Sequence, residues 1–273
     1  MPLRRTMILA GTSLATALLC GCGHDWDAYD PRHGADGAGA GGVSSSGIGG
    51  SNGSSGSGVG GSGAGGGSAS SSGSGGGATC ELSLQNDFED GVVVTPPWVE
   101  YHSDGVMPEE ASGDLFFHLP SMSTESVWGV LATDTSHNLS GCAISAQVRQ
   151  VPSTATDAYT NLALGIDNDN YVEIVSHKGQ LMFKAVINGN GEPPLESITH
   201  DLGLNAFWRI SEKDGITTWE TSPDGENWDF QVSAPNPLPV DGMVVKIGTG
   251  TLTAVTQSLQ PARWDNLKIT DAP

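Results

Sequence analysis

Glycoside hydrolysis asks for two carboxylates, one protonated and one ionised, on either side of the scissile bond. Strand side chains alternate, so acids two residues apart share a face. Glu212-Lys213-Asp214 has that spacing, but Gly215 follows and places Asp214 in a turn. His102, His118, His137, His177 and His200 each stand alone in sequence and read as surface strand residues. There is no Gly-x-Ser-x-Gly elbow and no His-x-x-x-His zinc pair. The residue types therefore speak more for binding than for catalysis. Aromatic faces stack on the apolar faces of pyranose rings, while amides and carboxylates bond the hydroxyls. Of the six tryptophans after position 80, Trp98 and Trp128 are the predicted exposed platforms, together with Tyr171; the other four read as core. Asp167-Asn168-Asp169-Asn170 could cradle a cation but reads as a solvated hairpin turn.

The elements that must position these residues are strands. Phe207 to Lys213 and Ile216 to Ser222 flank Asp214-Gly215, a hairpin signature. Ser222-Pro223-Asp224-Gly225 turns the chain again. Leu162–Asp167, Tyr171–His177 and Leu181–Ile187 follow one another across short turns. Further strands are predicted at Val99–His102, Leu115–Leu119, Val127–Ala132, Cys142–Val151, Met243–Gly248 and Trp264–Ile269. No apolar run keeps helical spacing over three turns. The prediction is an all-β domain, a two-sheet β-sandwich spanning 80–273.

Ahead of this domain the composition changes abruptly. The chain has 273 residues and a net charge of −20. Of its 39 glycines, 21 fall between Gly34 and Thr79, where 34 of 46 residues are Gly or Ser. Such a segment has no apolar face to offset its conformational entropy, and 34–79 is predicted to be a disordered tether. At that length a Gly/Ser chain spans roughly 35–40 Å. Residues 1–21 carry Arg4 and Arg5 and then a short apolar run, the layout of a signal peptide. Leu19-Cys20-Gly21-Cys22 resembles a bacterial lipobox, which would make Cys22 the acylated first residue of the mature protein. Cleavage before Cys20, or an ordinary signal peptide, are the competing readings. An acyl anchor would hold the chain at membrane lipid without spanning it. Residues 22–33 form an acidic stub, and Gly23-His24 after the cysteine, in place of Asp, favours the outer membrane of a bacterial envelope. Cys80 and Cys142 then remain as an even pair, which in an exported chain reads as a disulfide. After position 80 the chain carries 27 acids against 8 bases. That excludes nucleic acid as a partner and points to a neutral polysaccharide.

Several stretches, in order, resemble the concanavalin A-like lectin/glucanase superfamily in its LamG-like branch. They are Asp87-Phe88-Glu89-Asp90-Gly91, Leu164 to Ile174, Phe207-Trp208-Arg209-Ile210 with Ser222 to Trp228, and Trp264-Asp265-Asn266-Leu267-Lys268-Ile269. The resemblance covers Cys80 to Thr270 and implies a jelly-roll sandwich with one concave sheet. It implies that Trp228 and Trp264 pack inside. It also implies a structural calcium held by Glu89 and Asp265 near the first and last strands. The Glu-x-Asp-x-x-Glu string of the superfamily's glycanases is missing here. The expected function is non-catalytic glycan binding. An adhesion or structural module recognising protein, and a divergent glycan hydrolase or lyase, are the alternatives, because this fold hosts all of them.

Overall fold

The computed structural model describes Cys80 and residues 84–93, 96–154, 156–191 and 193–273. The predicted signal peptide 1–21, Cys22, the stub 22–33 and the tether 34–79 lie outside the described residues.

Fifteen strands follow one another: β1 Trp98–His102, β2 Met107–Ala111, β3 Asp114–His118, β4 Trp128–Thr133, β5 Cys142–Gln150, β6 Ala158–Gly165, β7 Tyr171–His177 and β8 Gln180–Ile187. Then come β9 Asn190–Gly191, β10 Glu196–Thr199, β11 Phe207–Lys213, β12 Ile216–Ser222, β13 Asp229–Pro235, β14 Val244–Thr251 and β15 Ala262–Asp271. They form two antiparallel sheets. The first has the order β1-β4-β14-β6-β7-β8-β10, with β9 on β8; the second has the order β13-β12-β11-β5-β15-β3-β2. This is the predicted two-sheet sandwich.

Alternation explains how the sheets bury one another. On β5, Cys142, Ile144, Ala146 and Val148 point inward and are buried. Trp208 of β11, Trp219 of β12 and Trp264 of β15 meet them, with Trp208 set edge-on to Trp264 at 5.4 Å between ring centroids. Leu131, Leu162, Leu164, Val172, Ile174, Leu181, Phe183 and Ile247 face them from the first sheet. The predicted disulfide is formed: Cys80 and Cys142 are joined, 62 residues apart. It fastens the first described residue to the second strand of a central ladder, since β5 pairs with both β11 and β15.

Prediction and structure part at the sheet edges. β2, β9, β10 and β13 fall where no strand is expected, and β6 starts four residues earlier than predicted, at Ala158. Met107-Pro108-Glu109-Glu110-Ala111 and Glu196-Ser197-Ile198-Thr199 lack a clean apolar alternation. Edge strands bond on one side only and need no such pattern.

Candidate functional site

Strands β6 and β14 are buried at every position, although only alternate residues can face the second sheet. The outer face of the first sheet is therefore recessed along its middle. Register identifies what lines it. Trp128, Gly250, Tyr159 and His177 form one row. Tyr101, Val130, Gly248, Asn161, Val175 and Met182 form the next. Ala132, Lys246, Ala163, Glu173 and Lys184 form a third. Gly250 is required here: a Cβ on it would stand 2.6 Å from the Tyr159 hydroxyl oxygen. Its absence lets the Tyr159 ring lie across β14.

The trough has an apolar side and a polar side. Val130, Ala132 and Val244 are buried together, and the half-exposed Tyr101, Trp128 and Tyr171 pack against them. Across β14 and β6 the lining turns polar. Asn161 Nδ2 donates to Glu173 Oε2 at 3.1 Å, and Lys184 Nζ lies 3.5 Å from Glu173 Oε1. Lys246 Nζ donates to Asn168 Oδ1 at 3.3 Å. Those partners orient both amides. Asn161 Oδ1 and Asn168 Nδ2 are then left buried without a hydrogen-bond partner. Asn161 is 2% exposed and Asn168 3%. A buried polar atom left unpaired costs about 1–3 kcal/mol. Burial holds the Glu173 carboxyl above its usual range, with Lys184 and Asn161 opposing the shift. Burial likewise holds the Tyr159 phenol well above its own.

Of the predicted platforms, the structure brings Trp128 and Tyr171 to this trough. Trp98 is corrected: at 2% exposure it is a core side chain of edge strand β1. Sequence reasoning passed over Tyr101, Asn161, Glu173, Lys184 and Lys246. A signal was there for two of them. Glu173 interrupts Val172-Glu173-Ile174-Val175, and Lys246 interrupts Val244-Val245-Lys246-Ile247. A charge inside a continuous apolar run marks a strand buried on both faces, with a polar task on one of them.

The outer face of the second sheet carries the predicted calcium pair. Asp265 is 4% exposed and Asp114 2%. Arg149 Nε lies 3.0 Å from Asp265 Oδ2 and 2.8 Å from Asp114 Oδ1. Arg263 pairs with Asp114 as well. Asn266 donates to both Asp265 oxygens, from its backbone N–H at 2.6 Å and its Nδ2 at 2.7 Å. Glu89 packs against Gly113, where a Cβ would stand 2.6 Å from its Oε1. Calcium needs six to eight oxygen ligands, and here the Asp265 oxygens already face Arg149 and Asn266. As arranged, Asp265 and Asp114 receive guanidinium groups. Among the described residues, no group of three or more His, Cys, Asp or Glu is gathered to hold a metal. Trp228 is also corrected: it is half-buried on the outer face, stacked 4.1 Å from the Arg209 guanidinium, while Arg209 forms a two-pronged ion pair with Glu220.

No protein-family model matches the chain, and no curated protein matches it. Solved structures do. The exoplasmic/lumenal domain of VIP36, in its Ca2+/Man3GlcNAc-bound form, is 11% identical over 71% of this chain and 91% of that domain, with a TM-score of 0.50. Rv0315 of Mycobacterium tuberculosis, described as an immunostimulatory antigen and pseudo beta-1,3-glucanase, is 12% identical over 70% of this chain and 99% of its own, with a TM-score of 0.49. For GH43B of the Bacteroides ovatus xyloglucan locus, the values are 12% identity, 69% of this chain and a TM-score of 0.43, and this chain spans 39% of that protein's length. At these identities the likeness is one of fold.

Proposed function

We propose that the domain binds glycan without catalysis in the trough on the outer face of its first sheet. We further propose that the chain is a bacterial lipoprotein, held at the outer membrane through acylated Cys22. The observation that carries the first reading is the meeting of two unlike linings. Tyr101, Trp128 and Tyr171 offer apolar faces. Among them, Asn161 Oδ1 and Asn168 Nδ2 are a buried acceptor and a buried donor without a hydrogen-bond partner. A pyranose ring is apolar on its faces and polar around its rim, which is the complement of that arrangement. The VIP36 domain, whose fold this chain shares, was crystallised with Man3GlcNAc, in keeping with a sugar ligand.

The non-catalytic part rests on a count of carboxyls. Among the described strand residues facing the trough, Glu173 is the one acid. Hydrolysis with either stereochemistry uses two. The second reading, a divergent hydrolase or lyase, draws on that same residue, because a carboxyl raised by burial is what a general acid requires.

A glycan array with and without calcium, followed by assay of reducing-end release on each ligand found, tests both. Binding with no release supports the first reading. Release that disappears in Glu173→Gln supports the second. Binding of no glycan at all overturns both. For the anchor, radiolabelled palmitate should enter the intact chain and not the Cys22→Ser variant, and label in neither overturns it.

A further inference from the structure

The charge of the domain and the charge of its trough have opposite signs. After position 80 there are 27 acids and 8 bases. Yet the strand positions lining the trough hold two lysines, Lys184 and Lys246, against the single carboxyl of Glu173. These are not ordinary surface lysines. Lys246 is 6% exposed, and the Lys184 side chain is 23% exposed. Each is also held in place, Lys246 by Asn168 Oδ1 and Lys184 by Glu173. An ammonium in a recess acts through a lower effective dielectric than one in open water, so its pull on an anion is stronger.

Resting on the glycan-binding reading above, we infer that the sugar unit seated beside these lysines carries an anionic group, the carboxylate of a uronic acid or a sulfate ester. Lys246 and Lys184 receive its oxygens. Asn168 Nδ2, buried and without a partner, is the neighbouring donor, since it belongs to the amide that holds Lys246. Asn161 Oδ1, buried and unpaired on the other side of Glu173, accepts from a ring hydroxyl. Glu173 faces Lys184 and so offsets part of the lysines' pull. The many acids elsewhere on the domain repel an extended polyanion, and salt screens them beyond about 8 Å. The fitting ligand therefore has sparse charge, one anionic residue on an otherwise neutral glycan.

This replaces the expectation of a neutral polysaccharide, which came from the overall charge. The test is an array carrying neutral oligosaccharides on several backbones, each beside a counterpart with one glucuronic acid and one with one sulfate, titrated with the intact chain. At least one charged member should bind about tenfold more tightly than its neutral counterpart, the gain expected of one favourable ion pair of about 1.4 kcal/mol. The carboxylate and sulfate arms identify the group. Lys246→Met should reduce that preference to within about twofold. If that variant fails to fold by circular dichroism, Lys184→Met carries the same expectation. Neutral members bound as tightly as charged ones would overturn the inference and leave glycan binding standing. Binding of no member overturns both.

Discussion

Ser176 Oγ and His200 Nδ1 are hydrogen-bonded at 2.7 Å, joining β7 to the residue that follows β10. On an open surface this would be a nucleophile beside a base. Here Ser176 lies on the inward side of β7, opposite Thr160 and Leu181, and is 4% exposed. The His200 ring stands edge-on to Trp208 at 5.6 Å, and its Nε2 is buried without a partner. Ser176 is closed off from solvent, and the consequence of the pair is for stability.

Burial lowers His200 to about 4, outweighing the upward pull of Asp201. The unfolded chain takes up that proton near 6.5, the folded one only near 4, so the unfolded state binds more protons between these values. Stability contributed by neutral His200 is thus full above pH 6.5 and is lost as pH falls toward 4. The loss over that window is about 3 kcal/mol. Burial lowers His177 too, with the same sign. Glu173 has the opposite sign, losing stability as pH rises through its raised value. Urea unfolding of wild type and His200→Gln from pH 4.5 to 7.5 isolates the effect. The difference between them should change with pH; a constant difference would refute the assignment.

The two tryptophans predicted as platforms should behave oppositely. Trp98 is a core residue at 2% exposure, so Trp98→Ala should cost about 3–5 kcal/mol. Trp128 is half-buried at the trough's edge and should cost less than half of that when replaced by Ala, while weakening glycan binding. Thermal melts and array titration of both variants check this. Equal stability losses would show that the trough wall is ordinary core.

How much of this was legible beforehand follows from what each residue touches. The β11–β12 hairpin was, because Asp214 and Gly215 both sit at positive φ, 53° and 82°, as their dipeptide requires. The disulfide was, because Cys80 and Cys142 are the only two cysteines from position 80 onward. Trp98 stood open between platform and core, because a tryptophan at a strand start has no local mark of which face it takes; the structure buries it. The Asp265 partner was hidden, because Arg149 lies 116 residues from it and reaches it only through the β5–β15 ladder. The polar wall of the trough was hidden in the same way, since Lys246 meets Asn168 across 78 residues.

Arg149 should prove the cation that the second sheet depends on. Its guanidinium is held above its ordinary value chiefly by hydrogen bonding to Asp265. Removing it in Arg149→Met leaves the buried Asp265 with Asn266 alone, and Asp114 with Arg263. Leaving a buried carboxylate uncompensated costs about 3 kcal/mol, discounted to about 2 because the Arg149 side chain is 43% exposed. In wild type, the melting temperature should not move between excess calcium and a chelator. A rise with calcium would show that an ion, and not Arg149, is what these acids serve.

Gly250 tests whether the floor of the trough is built for Tyr159. A Cβ there would stand 2.6 Å from the Tyr159 hydroxyl oxygen and 2.7 Å from the Val127 carbonyl oxygen. The phenol could swing aside, but the carbonyl belongs to the backbone leading into β4 and cannot. Gly250→Ala should therefore cost about 1–3 kcal/mol through overpacking and should shift Tyr159 and Trp128, its two cross-strand neighbours. Gly242 is the matched control, with nothing within 4 Å of an added Cβ. Gly242→Ala should be neutral or stabilise by up to about 1 kcal/mol, through the unfolded chain. Urea unfolding of both variants measures the contrast, and glycan affinity should fall for Gly250→Ala alone. If Gly250→Ala proves as stable as Gly242→Ala, the close approach of Tyr159 over β14 is not a feature the fold relies on.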